Sequence, residues 1–357
     1  MSILLVRLRL IGDVIFTTPL IRALRRRYPS ARLVYVVEPA AAPVVAGSPH
    51  LSEVIVAPHR RGWRRLVDDL RLGRRLRAGG FDVAIDLHGG PRSAWLTWAS
   101  GAPVRVGYDV AGRSWMYTRV IHRPRTLRPR HSVENQWDLL PAVDDAFPAS
   151  PDPDRDRVEM PVEAAAVAGV RKRLGALGMT AEAQIIVLHV SAGNPFRRWP
   201  EASFAALAGD LAAEQPRRWV VVTSGPSDHA AALRVLADAR RRAGDAGARI
   251  VDADGLTLAE LRALMDEAAL FVGGDSGPLH IAATTSVPIV GLYGPTLPER
   301  SAPWRPRHLA SAAVDAGALP CRPCEQRVCV PGDFRCLTHV PADVVRDAAR
   351  RLLEATP

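Results

Sequence analysis

The sequence contains almost no lysine and no long apolar run. Lys172 is its only lysine, although 47 of the 357 residues are lysine or arginine. No apolar run approaches the roughly 18 residues of a membrane span. Arg7, Arg9 and Asp13 interrupt the N-terminal stretch before a secretory segment develops. These absences argue against a membrane-spanning or exported protein, and we expect a cytoplasmic one.

Two nucleotide-binding signatures are also missing. The loop after the first predicted strand has no G-x-G-x-x-G, and the chain has no Walker A lysine loop. Both absences argue against a dinucleotide dehydrogenase and a P-loop enzyme. Hydrophobic residues make up 48% of the chain, so a compact protein is expected, and the length fits two domains.

The net charge of +10 suggests an anionic partner such as nucleic acid, a phosphorylated metabolite or an acidic membrane surface. Nucleic acid is disfavoured because no recognisable reading module is present. The basic clusters RALRRRYP (Arg22 to Pro29) and HRRGWRR (His59 to Arg65) are equally consistent with a solvated basic face.

Short apolar runs alternate with amphipathic stretches along the chain. In the first half, strands are predicted for ILLVRL, RLVYVVE, EVIVAP and FDVAIDL, and a helix for WRRLVDDLRLGRRLRAGG. Near-continuous apolar strands that alternate with helices indicate parallel sheets covered on both faces. The predicted fold class is therefore α/β.

A proline-rich charged stretch, FPASPDPDRDRVEMP (Phe147 to Pro161), interrupts this alternation. We place the boundary there, with an N-terminal domain over residues 1–158 and a C-terminal domain over residues 159–357. A helix over Val162 to Leu177 is followed by the strand-like runs AQIIVLHV, RWVVVTS, ARIVDAD, ALFVGGD and PIVGLYG. The second half is thus another doubly wound unit, and such sheets bind ligands beyond the carboxyl ends of their strands.

Asp13 stands after the first predicted strand, in RLIGDVIFTTPL (Arg9 to Leu20). Aspartate before an apolar run is typical of a helix cap, and Thr18 with Pro19 offers a second helix start. The same position lies at the carboxyl edge of the sheet, where a carboxylate can take part in chemistry. Both interpretations stay open at this point.

The stretch FVGGDSGPLHIAATTSVPIVGLYGPTLPER (Phe271 to Arg300) leads from a strand through Asp275, Ser276 and Gly277 into a helix with His280. Small residues permit close approach of a ligand, and the amides of a helix N-terminus favour a phosphate. The alternative is structural, with Asp275 or Ser276 as a cap and His280 as a core residue.

Two further loops follow strands in the second half. HVSAGNPFRRWPEASF carries Ser191 in a turn and then Arg197 and Arg198, which can neutralise a diphosphate or simply face solvent. TSGPSDHAAAL places Asp228 at a helix start, where it can hold sugar hydroxyls or cap the helix.

All four cysteines lie in CRPCEQRVCVPGDFRC, as Cys321, Cys324, Cys329 and Cys336. Four thiolates in a short loop can close the tetrahedron of a structural zinc site. Free thiols and disulfides are the alternatives. We infer no catalytic role from this cluster.

Together these loops resemble glycosyltransferase family 9, the ADP-heptose:lipopolysaccharide heptosyltransferases. The resemblance covers nearly the whole chain and rests on GDVIFTTP, DVAIDLHGGPRS, FRRWP, SGPSDH and GGDSGPLHIAA followed by VGLYGPT. Its most specific part is similar to the family's D-[ST]-G-x-x-H element, which Asp275, Ser276, Gly277 and His280 match.

The resemblance implies a GT-B architecture, in which two Rossmann-like domains face a central cleft. The N-terminal domain binds the acceptor, the C-terminal domain binds the nucleotide-sugar, and the last helix often packs back across. An inverting transfer is implied, with Asp13 as general base. Arg197 stands where the family has a donor-binding lysine. The predicted donor-binding residues are Ser191, Arg197, Asp228, Asp275, Ser276, Gly277 and His280.

The implied donor is ADP-heptose, whose diphosphate leaves through an oxocarbenium-like transition state. Asp13 would accept the proton of the incoming hydroxyl, and Arg197 with the amides of Ser276 and Gly277 would stabilise the departing phosphates. We therefore expect no required cofactor or catalytic metal, and no convincing D-x-D lies at the donor loops.

The implied acceptor is the phosphorylated inner core of lipopolysaccharide, attached to lipid at the cytoplasmic face of the inner membrane. Arginines of the N-terminal half, Arg64 and Arg65 among them, would hold the protein near anionic lipid as a peripheral membrane protein. The predicted acceptor-binding residues are Gly12, Thr17, Arg60, Arg61 and Arg92. The alternatives are another nucleotide-sugar enzyme of this architecture, such as a different transferase or an epimerase, and a two-lobed binding protein without chemistry.

Overall fold

A computed structural model describes residues 1–122, 130–190 and 194–355. The chain divides into two compact units, one from Met1 to Pro161 and one that begins at Val162. The boundary predicted from the sequence, after residue 158, lies within the same proline-rich stretch. Each unit holds one parallel sheet with helices, which confirms the α/β class.

Six parallel strands form the sheet of the N-terminal unit. They are β1 (Ser2–Val6), β2 (Arg32–Val37), β3 (Glu53–Val56), β4 (Val83–Asp86), β5 (Val104–Tyr108) and β6 (Arg119–Ile121). Their order is β3-β2-β1-β4-β5-β6. The helices are α1 (Ile11–Ile15), α2 (Thr18–Arg27), α3 (Trp63–Ala78), α4 (Pro91–Ala99) and α5 (Ser132–Trp137).

The predicted strands of this half correspond to β1 through β4, and the long predicted helix corresponds to α3. Residues Ile3 to Val6 of β1 are fully buried, as expected for a central strand covered on both faces. Strands β5 and β6 were missed. Arg105 and Gly107 break the apolar run of β5, and β6 is a short strand at the sheet edge.

The C-terminal unit repeats this design. Its strands are β7 (Gln184–His189), β8 (Arg218–Thr223), β9 (Ile250–Asp252), β10 (Leu270–Gly274), β11 (Ile289–Tyr293) and β12 (Ser311–Asp315). Their order is β12-β11-β10-β7-β8-β9, with all neighbours parallel. All five predicted strands are present, and β12 was missed. The helices are α6 (Ala164–Ala176), α7 (Glu201–Glu214), α8 (His229–Ala243), α9 (Leu258–Asp266), α10 (Gly277–Ala282), α11 (Pro298–Ser301), α12 (Arg335–Thr338) and α13 (Ala342–Ala355).

The last helix, α13, covers part of the C-terminal core. Its buried residues Val345, Ala348, Ala349 and Leu353 form one apolar side at helical spacing. This side packs with α7 and with strands β10 to β12, so the helix belongs to the C-terminal unit. Within the three described ranges, no helix has the length and apolar character that crossing a bilayer requires.

The strand order reverses beside the centre of each sheet, between β1 and β4 and between β10 and β7. The paired residues Val6 and Asp86 mark this point in the first sheet, and Gly273 and His189 mark it in the second. Open parallel sheets bind ligands beyond the carboxyl ends of the strands at such reversals. The loops after these four strands are therefore the places to look for a site.

Candidate active site

Asp13 lies in the first turn of the helix that follows β1. It is the third residue of α1, and its Oδ2 accepts a hydrogen bond from the backbone N–H of Leu10 at 3.3 Å. The same oxygen lies 2.6 Å from Nη2 of Arg7. Among the described residues none donates a hydrogen bond to Oδ1, and the side chain is 36% exposed. Asp13 therefore caps its helix with one oxygen and leaves the other available.

Arg7 holds this carboxylate in place, although the sequence analysis gave it no role. Its side chain is only 10% exposed. Nη1 donates to the carbonyl oxygen of Leu87 at 2.5 Å, and Nε donates to that of Arg9 at 2.9 Å. One guanidinium thus connects the loop after β1 to the loop after β4 and fixes the Asp13 carboxylate to both.

A buried carboxylate orders the loop after β4. Oδ1 of Asp86 accepts hydrogen bonds from the backbone N–H groups of His88 at 2.8 Å and Gly89 at 2.9 Å. Oδ2 accepts from the hydroxyls of Tyr117 at 2.6 Å and Ser93 at 3.1 Å. Burial, and then the charge of Asp86, raise the pKa of Tyr117 well above its usual value, so the phenol stays a donor. Because Asp86 is fully satisfied, the network holds the loop in one conformation.

His88 lies in this ordered loop, within electrostatic reach of Arg7 and Asp13. Burial, and then the positive charge of Arg7, lower the pKa of His88, while Asp86 and Asp13 oppose them. The imidazole is therefore neutral at neutral pH. Its Nδ1 is buried without a hydrogen-bond partner in the described part of the chain. The sequence signalled His88 only as part of DVAIDLHGGPRS and did not link it to Asp13.

The predicted acceptor-binding residues fall in three different surroundings. Gly12 is buried in α1 beside Asp13. Thr17 is fully buried, and its hydroxyl is hydrogen-bonded to the Val14 carbonyl oxygen at 2.7 Å and the Tyr35 hydroxyl at 2.8 Å. Arg60 and Arg61 are exposed before α3, and Nε of Arg60 lies 3.4 Å from a carboxylate oxygen of Asp68. The structure thus places Gly12 directly beside Asp13, and Thr17 four residues after it at the start of α2.

Arg92, the fifth predicted acceptor-binding residue, is buried in an ion-pair network. Nη1 lies 2.7 Å from Oε1 of Glu38, and Nη2 lies 2.7 Å from Oδ1 of Asp69. Nη2 also donates to the carbonyl oxygen of Pro58 at 2.8 Å. Two carboxylates therefore balance the charge of this arginine, which connects α3 and α4 to the loops after β2 and β3. Arg92 also lines a small pocket together with Arg9 and His88, and its acceptor-binding role stays a prediction.

In the C-terminal unit, β10 leads through Asp275 and Ser276 into α10. Ser276 occupies the N-cap position, but its hydroxyl donates to the carbonyl oxygen of Gly274 at 3.2 Å and makes no cap hydrogen bond. Gly277 is the first residue of the helix. A Cβ added at Gly274 would lie 3.1 Å from the carbonyl oxygen of Arg197, so the missing side chain lets the two predicted donor loops meet.

Asp275 and Arg197 form the centre of this cluster. Nη1 of Arg197 lies 3.2 Å from Oδ2 of Asp275 and donates to its carbonyl oxygen at 2.9 Å. Nε2 of His280 lies 3.5 Å from Oδ1 of Asp275. Burial alone would raise the pKa of Asp275, but His280, Arg197 and Ser301 outweigh burial and hold it below its usual value. The predicted residues Arg197, Asp275 and His280 therefore form one contiguous cluster around the Asp275 carboxylate.

Asp228 forms a second charged pair at the same edge of the sheet. It is buried at the start of α8, where its side chain makes no cap hydrogen bond, and one oxygen lies 2.6 Å from Nη2 of Arg198. His189, the last residue of β7, is hydrogen-bonded to the Thr223 hydroxyl at 2.9 Å. Burial lowers the pKa of His189 to about 4, against the opposing charge of Asp228. Ser191, also predicted here, lies outside the described residues.

Comparison with known proteins decides the family. The model of glycosyltransferase family 9 (heptosyltransferase) matches residues 69–331. The chain belongs to glycosyltransferase family 9. It is 26% identical over 353 residues to lipopolysaccharide heptosyltransferase 3 of Escherichia coli, a match that covers 98% of each chain. It is 29% identical over 342 residues to lipopolysaccharide heptosyltransferase 1 of Pseudomonas aeruginosa, covering 92% of this chain and 87% of that relative.

A solved heptosyltransferase structure confirms the architecture. The structure of E. coli ADP-heptose lipopolysaccharide heptosyltransferase II matches this chain with a TM-score of 0.77 at 23% identity and covers 99% of each chain. The predicted GT-B fold is therefore confirmed. Membership of family 9 also confirms that the protein is a glycosyltransferase, which removes the alternatives of an epimerase and of a binding protein without chemistry. The roles of individual residues stay predictions.

The four cysteines of this family 9 enzyme are free thiols in the structure. Cys336 is buried, and Cys321, Cys324 and Cys329 are partly buried. Burial, and then the neighbouring thiols, raise the pKa of Cys336. No three histidine, cysteine or acidic side chains of the described ranges are placed to hold one metal ion. The zinc site stays a prediction that metal analysis of protein purified without chelator tests.

Proposed function

We propose that this enzyme transfers a heptose, or a closely related sugar, from an ADP-linked donor to the inner core of lipopolysaccharide, with inversion at the anomeric carbon. The relatives named above are lipopolysaccharide heptosyltransferases, and one has ADP-heptose in its name. The observation that carries the proposal is the Asp13 carboxylate, with one oxygen fixed by Arg7 and Leu10 and the other available.

Asp13 serves as the general base. Its Oδ1 accepts the proton of the acceptor hydroxyl. As the proton leaves, the hydroxyl oxygen of the acceptor forms a bond to the anomeric carbon, and the bond between that carbon and the departing diphosphate breaks. Arg7 restrains the carboxylate through Oδ2, so the accepting oxygen keeps one direction. Neutral His88 lines the same loop edge without adding a competing positive charge. A positioned base of this kind contributes roughly 10²–10⁴-fold to the rate.

The donor diphosphate binds to the cluster around Arg197. Asp275 contacts Nη1 of this arginine, and Gln326 accepts a hydrogen bond from its Nε. Nη2 makes no hydrogen bond to any described residue, and the arginine side chain is 30% exposed. Nη2 therefore donates to a phosphate oxygen, and the amides of Ser276 and Gly277 add dipoles of the same sign. Asp228 holds donor hydroxyls, and His280 supports Asp275.

The lipid-linked acceptor places the enzyme at an anionic membrane surface, and α3 provides the contact. Trp63, Leu66 and Leu70 are 70%, 65% and 50% exposed on this helix, among exposed arginines that include Arg64. A cavity of about 720 Å³, lined mainly by apolar groups, lies between α3 and α4 beside them. Exposed apolar residues among basic ones are typical of a helix that binds anionic lipid, so we place the protein at the cytoplasmic membrane face.

Ligand-induced stabilisation tests the identity of the donor. A nucleotide that binds only the folded protein raises its stability, by about 2.7 kcal/mol at 100 times its Kd. We expect ADP to raise the melting temperature far more than UDP or GDP at equal concentration. Transfer from ADP-heptose to a core acceptor, with the product configuration read by NMR, tests the reaction. Stronger stabilisation by UDP or GDP would instead support a transferase that uses another nucleotide-sugar.

A further inference from the structure

The cysteine-rich segment, residues 321–336, contacts the loop that carries Arg197. Oε1 of Gln326 accepts hydrogen bonds from Nε of Arg197 and from Nδ2 of Asn194, both at 2.8 Å. The rings of Phe334 and Phe196 meet edge to face with centroids 5.3 Å apart. These contacts join two segments that are 129 residues apart in sequence.

The segment is anchored on its other side to the loop after β11 and to the last residue of β12. Arg322, whose side chain is 3% exposed, lies 3.0 Å from Oδ2 of Asp315 and donates to the carbonyl oxygen of Thr296 at 3.2 Å. The backbone N–H of Cys324 donates to the carbonyl oxygen of Pro295 at 3.3 Å. These contacts of Arg322 and Cys324 hold the segment in place, so the position of Gln326 next to Arg197 is fixed.

Gln326 adopts an uncommon backbone conformation, with φ of +59°. A side chain other than glycine rarely occupies this left-handed region, and surrounding contacts must hold it there. The nearby Val328 and Val330 are 73% and 89% exposed, so burial of apolar surface does not explain the conformation. With this backbone conformation, the side-chain amide of Gln326 contacts the loop that carries Arg197.

We infer that Gln326 is a positioning residue for donor binding. It holds Nε of Arg197 while Asp275 holds Nη1, and together they leave Nη2 directed to the diphosphate. The same Gln326 oxygen accepts from Asn194, whose Oδ1 accepts the N–H of Phe196 and so caps the short helix Pro195–Arg197. This inference rests on the proposed role of Arg197 as a donor-binding residue.

Gln326→Gly tests this role because glycine keeps the left-handed backbone and removes only the amide contact. We expect the Kd of ADP and the KM of the donor to rise about tenfold, which corresponds to about 1.4 kcal/mol. The KM of the acceptor should change less than twofold. Val330→Gly, in the same segment and at an exposed position, is the matched control and should leave all three constants unchanged.

A double-variant cycle separates this inference from the proposed function. If Gln326 acts through Arg197, adding Gln326→Gly to Arg197→Ala should change the Kd of ADP less than twofold. Two results would overturn the inference and leave the proposed function intact. One is a further tenfold rise in the Kd of ADP when Gln326→Gly is added to Arg197→Ala. The other is an unchanged Kd in the Gln326→Gly single variant while Arg197→Ala weakens ADP binding. Unchanged ADP affinity in Arg197→Ala overturns the donor role of Arg197 itself.

Discussion

Asp13 and Asp275 occupy similar places in the two units but have different surroundings. Each follows a strand at the point where the strand order reverses, and each is paired with an arginine. Asp13 is 36% exposed, and its Oδ1 has no hydrogen-bond partner among the described residues. Asp275 is 3% exposed, with Arg197 next to one oxygen and His280 next to the other.

The difference in exposure between Asp13 and Asp275 leads us to expect different roles for the two carboxylates. A carboxylate with an available oxygen and access to solvent can receive a proton from a substrate, provided that its other oxygen is fixed. A buried carboxylate that faces a guanidinium and an imidazole has no such access to solvent, and its removal leaves the guanidinium uncompensated. We therefore expect loss of Asp13 to affect the rate and loss of Asp275 to affect stability.

Asp13→Asn should have the largest effect. An asparagine cannot accept the proton, so we expect kcat to fall by about 10²–10⁴-fold. Arg7 keeps its bonds to the carbonyl oxygens of Leu87 and Arg9, so the fold should persist. The Kd of ADP should stay unchanged, because the base acts on the acceptor. Single-turnover transfer assays and calorimetric ADP titration measure the two quantities.

The control for this variant is Asp145→Asn. Asp145 is an exposed aspartate of the same unit. It should retain full transfer activity. Transfer within a factor of two of the unchanged enzyme in Asp13→Asn would remove Asp13 from the mechanism and with it the contrast with Asp275.

Asp275→Asn should mainly reduce stability. Loss of one partner of a buried ion pair costs about 3–5 kcal/mol, and we expect about 3 kcal/mol here because Arg197 keeps some contact with water. The pKa of Asp275 is lower in the folded protein than in the unfolded chain. Its contribution is therefore present above the usual aspartate pKa of about 3.9 and is lost as the pH falls below it.

Denaturation curves between neutral and acidic pH measure this effect. The unchanged protein should lose stability steeply as the pH falls below about 4, and Asp275→Asn should be less stable at neutral pH with a flatter acid limb. Asp245→Asn, at an exposed position of the same unit, is the control and should follow the unchanged protein. An Asp275→Asn variant that is fully stable but inactive would reverse the assignment of roles.

The sequence predicted the central strands well, because strands that are buried on both faces consist of nearly continuous apolar residues. It missed β5, β6 and β12, where Arg105 and Gly107 or a sheet-edge position interrupt the pattern. The sequence indicated both positions, because Asp275 ends the predicted run ALFVGGD and Asp13 stands five residues after the run ILLVRL.

The partners of these residues were not predictable in the same way. Arg7 reaches the carbonyl oxygen of Leu87, 80 residues away, and Gln326 reaches Arg197 across 129 residues. Such contacts depend on strand order and loop packing, which no local pattern contains. The ion pairs of Arg92 were equally unpredictable, because nothing near it in the sequence indicates that Glu38 and Asp69 balance its charge inside the fold.

The smallest expected effect is on membrane binding by α3, which belongs to the same unit as Asp13. If Asp13 acts on a lipid-linked acceptor, α3 should contribute to binding of an anionic bilayer. We expect Trp63→Ser to weaken binding to vesicles that contain phosphatidylglycerol roughly fivefold, or about 1 kcal/mol, because a partly inserted indole ring is removed. Co-sedimentation measures the binding constant.

The matched control is Trp115→Ser. Trp115 is 64% exposed in the same unit, close to the 70% of Trp63, but it lies outside α3. Weaker vesicle binding by Trp63→Ser but not by Trp115→Ser would identify α3 as the contact. Binding by both variants should also weaken at high salt, since salt screens the attraction between the arginines of α3 and the bilayer. Equal losses in both variants, or equal binding to neutral vesicles, would show that general surface hydrophobicity is responsible. The acceptor would then have to reach Asp13 without a membrane contact through α3.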